Sequence, residues 1–89
     1  MIQNFDFNVG GKAERFCASL AEDGSRRVLI SYADTAKTLV ILDAAGLLGA
    51  LKAELEEPDR LIAQAIRKAQ SEGLIERAIA TGAIQEASL

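Results

Sequence analysis

The residues of this chain that could do chemistry are one thiol, a run of carboxylates and a pair of glycine turns. Cys17 is the single cysteine, and the chain contains no histidine. A thiol becomes a nucleophile at neutral pH when a base or cation stabilises its thiolate, and no imidazole exists here to do so. Arg15 and Ser19 share the face of Cys17 in an alternating segment, and a mid-strand cysteine ordinarily serves as a small packing group. With no second cysteine, an internal disulfide is excluded, and the usual thiolate and imidazole ligands of zinc and iron–sulfur sites are missing. Glu54, Glu56, Glu57 and Asp59 could supply oxygen ligands to a hard cation, yet their spacing spreads them round a helix end as a solvated surface. Gly10-Gly11-Lys12 lacks the G-x-x-x-x-G-K-[ST] spacing of a phosphate loop and reads as a hairpin turn. The expectation is therefore a protein with no catalytic residue, no metal and no cofactor.

The elements that hold these residues follow from hydrophobic period. Phe5, Phe7 and Val9 alternate with Asn4, Asp6 and Asn8, the two-residue repeat of a strand with one buried face. After Gly10-Gly11, Phe16, Ala18 and Leu20 alternate with Arg15, Cys17 and Ser19, which predicts a hairpin. Asp23-Gly24 marks a second turn, followed by Val28, Ile30 and Tyr32 alternating with Arg27, Leu29 and Ser31. Beyond Asp34-Thr35-Ala36-Lys37, the run Thr38 to Leu42 is apolar at successive positions, as in a strand covered on both faces or one at a sheet–helix junction. Asp43 is placed to cap a helix whose stripe is Leu47, Leu48, Leu51 and Leu55, ending at Glu56-Glu57-Pro58. Pro58 and Asp59 suit the start of a second helix with Leu61, Ile62, Ala65, Ile66 and Ala69 on one side. A break at Ser71-Glu72-Gly73 separates this from a third stripe, Leu74, Ile75, Ala78 and Ile79, which stops near Gly82. Gln85 to Leu89 read as a fraying end.

These elements predict one small α+β domain over residues 1–89, with a strand half (1–42) and a helical half (43–89). The fold expected is a four-stranded antiparallel meander followed by two or three helices packed on one sheet face. At 89 residues such a chain buries only ~60% of its unfolded surface, so almost every aliphatic is needed for the core. Apolar residues make up 49% and aromatics 4%, a composition of small aliphatics suited to closely spaced helices. The opening Met-Ile-Gln-Asn-Phe-Asp has neither the basic start nor the apolar run of a secretory leader. The longest apolar stretch, Leu39 to Leu51, is interrupted by Asp43 and falls short of the ~20 residues that span a bilayer. A cytoplasmic protein without a membrane partner is expected, consistent with an unpaired cysteine.

Charge divides the chain. Residues 1–42 carry five basic and five acidic side chains, while residues 43–89 carry five basic and eight acidic, so the net charge of −3 belongs to the second half. A polyanion could approach only the first half, through Lys12, Arg15, Arg26, Arg27 and Lys37. In element order, residues 4–57 resemble the whirly-type single-stranded-DNA-binding coactivators, with Lys37 to Leu55 standing where that family has its last strand and helix. Sheet readers of single strands stack bases on exposed aromatics, whereas Phe5, Phe7, Phe16 and Tyr32 all share the parity that the strands bury. Ala69, Gly73 and Ile79 have the spacing of a helix-turn-helix, but Lys68 and Glu72 fall where that motif places its interhelical contacts, and Glu76 accompanies Arg77 on the would-be recognition helix.

The third helical stripe is surplus to covering four short strands. It either closes the edge of the core or meets another molecule. Ala45, Gly49 and Ala53 add a small-residue stripe suited to close helix contact, within the fold or between subunits. The leading expectation is a non-enzymatic protein-binding module, a regulator, adaptor or stoichiometric inhibitor of a larger bacterial or phage complex. Its interface candidates are Leu74, Ile75, Ala78 and Ile79 with Arg77 at the rim, and a homodimer is one form it could take. In size and acidity the chain is similar to phage-encoded inhibitors of bacterial defence, anti-CRISPR proteins among them. The alternative is a single-stranded nucleic-acid-binding or transcription-regulatory domain using the strand half.

Overall fold

A computed structural model describes residues 1–44 and 57–89. The predicted helix with Leu47, Leu48, Leu51 and Leu55, the stripe Ala45, Gly49 and Ala53, and the carboxylates Glu54 and Glu56 lie outside the described residues. The rest forms an α+β fold. Its strands are β1 (Ile2–Val9), β2 (Lys12–Leu20), β3 (Arg27–Tyr32), β4 (Thr38–Asp43) and β5 (Gln85–Ser88); its helices are α1 (Pro58–Ser71) and α2 (Leu74–Thr81). The sheet runs in the order β1-β2-β3-β4-β5. The first four strands are the expected antiparallel meander. The fifth is parallel to β4, pairing Val40 with Gln85 and Leu42 with Ala87.

The fifth strand corrects the expectation that Gln85 to Leu89 fray. Gln85-Glu86-Ala87-Ser88 has almost no apolar alternation to announce a strand, and it orders because β4 offers a free row of backbone groups beside it. Ala87 and Leu89 pack against the core, and Leu89 N–H donates to the Asp43 carbonyl (3.0 Å). Asp43 itself ends β4.

The double-sided apolar run in β4 has a different cause from the one expected. The register shifts between Ile30 and Ser31, so that Ile30 faces Val40 while Ser31 faces Thr38. Leu39 is the extra residue of a β-bulge, which lets two successive side chains point to one face. Leu39 and Val40 are both buried, while Ile41 is half-exposed on the opposite face.

All core-facing residues lie on one side of the sheet: Phe16 and Ala18 from β2, Val28 and Ile30 from β3, Val40 and Leu42 from β4. Leu61, Ile62, Ala65, Ile66 and Ala69 of α1 and Leu74, Ile75 and Ala78 of α2 cover them. Pro58 begins α1 without losing a hydrogen bond, because the first helical N–H has no partner within the helix. Gly73, at φ 64°, makes the turn between the helices in a backbone region that an L side chain enters with strain. Glu72 N–H returns to the Lys68 carbonyl (3.0 Å) to close the end of α1.

Ile75 is completely buried between α2 and the sheet. Ile75→Ala should lower the unfolding free energy by about 2–5 kcal/mol. Arg67→Ala, on an exposed position of α1, should change it by less than about 0.5 kcal/mol. Urea unfolding followed by circular dichroism checks both.

Candidate functional site

The third helical stripe is spent inside the molecule. Leu74, Ile75 and Ala78 are 5%, 0% and 1% exposed, and Ile79 is half-buried against the same cluster. Of the interface candidates on α2, only Arg77 stands in solvent, where its guanidinium donates to the Glu72 carbonyl. The stripe therefore closes the core over β4 and β5. The reason is the fifth strand: it widens the sheet, so a second described helix is needed to cover it. The same packing occupies the apolar side of α2, the helix that a helix-turn-helix reading would send into a groove.

The candidate nucleic-acid contacts do not converge. Lys12 sits beside the Gly10-Gly11 turn and Lys37 in the β3–β4 turn, at one end of the sheet, whereas Arg26 lies in the β2–β3 turn at the other. Arg15 is held by Asp6 on the neighbouring strand (3.1 Å), and this contact raises the Arg15 pKa. Arg27 reaches Asp23 (3.3 Å) and Ser25 Oγ (3.2 Å). Tyr32, Phe16 and Phe5 form a continuous row across the helix side of the sheet, with centroid spacings of 5.4 and 5.8 Å. No ring of this row is presented on the opposite face, where a strand of bases would have to lie.

Among the described residues, no helix covers the opposite face, on which Ser31 is buried between its strand neighbours and Cys17, Leu29 and Ile41 are half-buried. None of its residues belongs to the core cluster packed by α1 and α2. Register places Ile2, Ser19, Leu29, Ile41 and Glu86 in one row across all five strands. Beside it run Asn4, Cys17, Ser31 and Thr38, with Ser31 Oγ and Thr38 Oγ1 in contact at 3.3 Å. Ile2 is 68% exposed, and Leu29, Ile41 and Cys17 are half-buried. Charged groups bound the strip: the Asp6–Arg15 pair on one side, Arg27 and Asp43 on the other. Cys17 stands between Asn4 and Ser31 in the ladder, with uncharged side chains on either side of it. Among the described residues no three histidine, cysteine, aspartate or glutamate side chains gather as metal ligands. Glu57 pairs with Arg60 (3.1 Å) at the start of α1. Among the described residues, no helix is long and apolar enough to cross a membrane.

A shallow depression of about 520 Å³ opens at the β3–β4 end, lined by Glu14, Arg15, Tyr32, Ala33, Asp34 and Thr35. Burial raises the Tyr32 phenol above its ordinary pKa, and the negative charges of Glu14 and Asp34 push it further the same way. At the other end, Ser25 holds the Asp23 carboxylate down through its hydroxyl and its backbone N–H (2.9 Å), with help from Arg27.

The apolar strip was legible in the parity of Leu29 against Val28 and Ile30. Its extent was not, because Ile41 and Glu86 join the row only through the bulge and the fifth strand. Comparison with protein-family models, curated proteins and solved structures gives no match.

Tyr32 is the single tyrosine, so ultraviolet titration of the native chain reads it alone. It should ionise above the usual phenol range, and Glu14→Gln or Asp34→Asn should each bring it down while leaving it raised, since burial is the larger cause. A group with a raised folded pKa contributes stability that is complete below its unfolded pKa. That contribution is lost as pH climbs through the folded value, so the fold should weaken in this alkaline window and less so in the two variants.

Proposed function

We propose that this chain is a small, non-catalytic protein-binding module that acts by covering a partner's surface, as a stoichiometric regulator, adaptor or inhibitor does. The observation that carries this reading is the sheet face that neither described helix covers, with Ile2, Leu29 and Ile41 aligned across the strands and charged groups at its margins. An apolar centre with a polar rim is the common anatomy of a protein interface. A five-stranded sheet with neighbours ~4.8 Å apart presents a platform ~20 Å across, the scale of a small partner's contact patch. The chemistry needed for turnover is thin: the chain has no imidazole and one thiol, and Asp6, Asp23 and Glu57 are paired with arginines at the surface.

The nucleic-acid reading is weaker on the same geometry. Its basic residues point to two ends of the molecule, two of the five are tied to carboxylates, and the aromatic row lies under or beside the helices. The face opposite offers asparagine, serine and aliphatic groups, which neither neutralise phosphates nor stack with bases.

The test pairs two measurements. Leu29→Lys and Ile41→Lys place charge on half-exposed positions, so each variant should keep the native circular dichroism spectrum while losing the partner captured by the native chain from its own cells. Arg67→Ala should keep that partner. Titration with single- and double-stranded oligonucleotides at low and high salt should show no tight, salt-sensitive association. Tight binding that weakens steeply with salt, and survives Leu29→Lys, would replace this reading with the nucleic-acid one.

A further inference from the structure

We infer that the chain forms a two-fold dimer in which β1 pairs antiparallel with β1 of a second copy, joining two five-stranded sheets into one. The inference concerns the edge of the sheet and is independent of what binds the face away from α1 and α2. β1 ends the sheet, and among the described residues no strand or helix lies along its outer side. Its ladder with β2 runs unbroken from Ile2↔Ser19 to Val9↔Lys12. Folded proteins protect such edges with proline, lysine, a bulge or extreme shortness. β1 has none of these over eight residues, and its one charge, Asp6, is engaged by Arg15. The other edge, β5, is four residues long and carries Glu86. The two edges are thus treated differently by the same chain.

The occupant is a second copy because β1 complements itself in one register. The two-residue Gly10-Gly11 turn makes Val9 and Lys12 a hydrogen-bonded pair, and Leu20 N–H bonds the Met1 carbonyl (3.3 Å) at the far end. Odd residues of β1 therefore spend their backbone groups on β2, and Ile2, Asn4, Asp6 and Asn8 turn theirs outward. With the two-fold axis at Phe5, Asn4 faces the second copy's Asp6, and Ile2 faces its Asn8. About eight interchain hydrogen bonds result from these pairings. On the helix side, Phe5 meets Phe5, Phe7 meets Gln3, and Met1, which is 63% exposed, meets Val9. The row Tyr32–Phe16–Phe5 continues into the same row of its partner.

Neighbouring registers are poorer. An axis at Asp6 sets two like charges directly opposite. An axis at Asn4 puts Asp6 against Ile2 and Phe5 against Gln3. An axis at Phe7 leaves only the turn-proximal half of the strand overlapped. The phenylalanine register alone overlaps the whole strand, opposes no like charges and brings an asparagine amide to each Asp6.

Sedimentation equilibrium across a concentration series tests the assembly. The native chain should approach twice its 9.5 kDa mass, and Leu29→Lys, on the face and away from the edge, should leave that mass unchanged. Asn4→Pro removes an outward N–H that β2 does not use, so it should return the mass to that of one chain with the native circular dichroism spectrum retained. A second readout does not depend on proline. In a Cys17→Ser background, Phe5→Cys lies on the axis in a non-hydrogen-bonded pair, where antiparallel Cα atoms approach ~4.5 Å and a disulfide is permitted. It should cross-link under mild oxidation, whereas Phe7→Cys should not. A native chain of single mass at every concentration, or cross-linking at Phe7 as readily as at Phe5, overturns the inference.

Discussion

The register of β2, β3 and β4 is the constraint on which the molecule depends. Because side chains alternate faces, one choice of register sends Phe16, Ala18, Val28, Ile30, Val40 and Leu42 to the same side, and a slip of one residue would send them all to the other. The bulge at Leu39 adds one more aliphatic to that side at the cost of one unpaired ladder position. Both described helices then have a single surface on which to bury their stripes. Among the described residues, no helix covers the opposite face as a direct consequence.

Much of this is written in local pattern. The turns at Gly10-Gly11 and Asp23-Gly24 carry residues that accept positive φ, with φ of 61°, 82° and 77° at the three glycines, and the alternation between them fixes which residues face inward. Pro58, Asp59 and Gly73 mark the ends of α1 and the turn into α2 by the same kind of local chemistry. What the pattern does not carry is pairing between distant segments. Gln85 to Ser88 become a strand because β4 has an unpaired side within reach, and no property of those four residues announces it. The bulge has the same character, since two adjacent aliphatics look identical whether a strand is buried on both faces or bent to bury both on one.

The candidate site shows where that missing information mattered. Counting stripes against a four-stranded sheet leaves Leu74, Ile75, Ala78 and Ile79 without a task, and an exposed interface is a reasonable home for them. A fifth strand changes the count. It extends the core by the width of one strand, and the stripe that looked surplus becomes the cover for it. The face that the described helices leave uncovered was visible as the weaker parity of each strand, Leu29 rather than Ile30 and Ile41 rather than Leu42, but its apolar members Ile2, Leu29 and Ile41 are far apart in sequence and align only when the sheet is assembled.

Edge and face are linked by the same geometry. In a sheet covered on one side, the helices are centred over the interior strands, and the aromatic residues of an outer strand are left with partial cover. Phe5, Phe7 and Val9 are in that position, half-buried at the margin of a core that ends over β2. A small domain has two ways to resolve such a margin: spend more chain to cover it, or share it with another molecule. At β5 the chain has taken the first route, with α2 and the closing contacts of Leu89. At β1 it has supplied an unblunted strand whose apolar and polar residues alternate without interruption. Among the described residues, the margin at β1 and the face away from α1 and α2 are thus the two parts of the sheet that no helix covers.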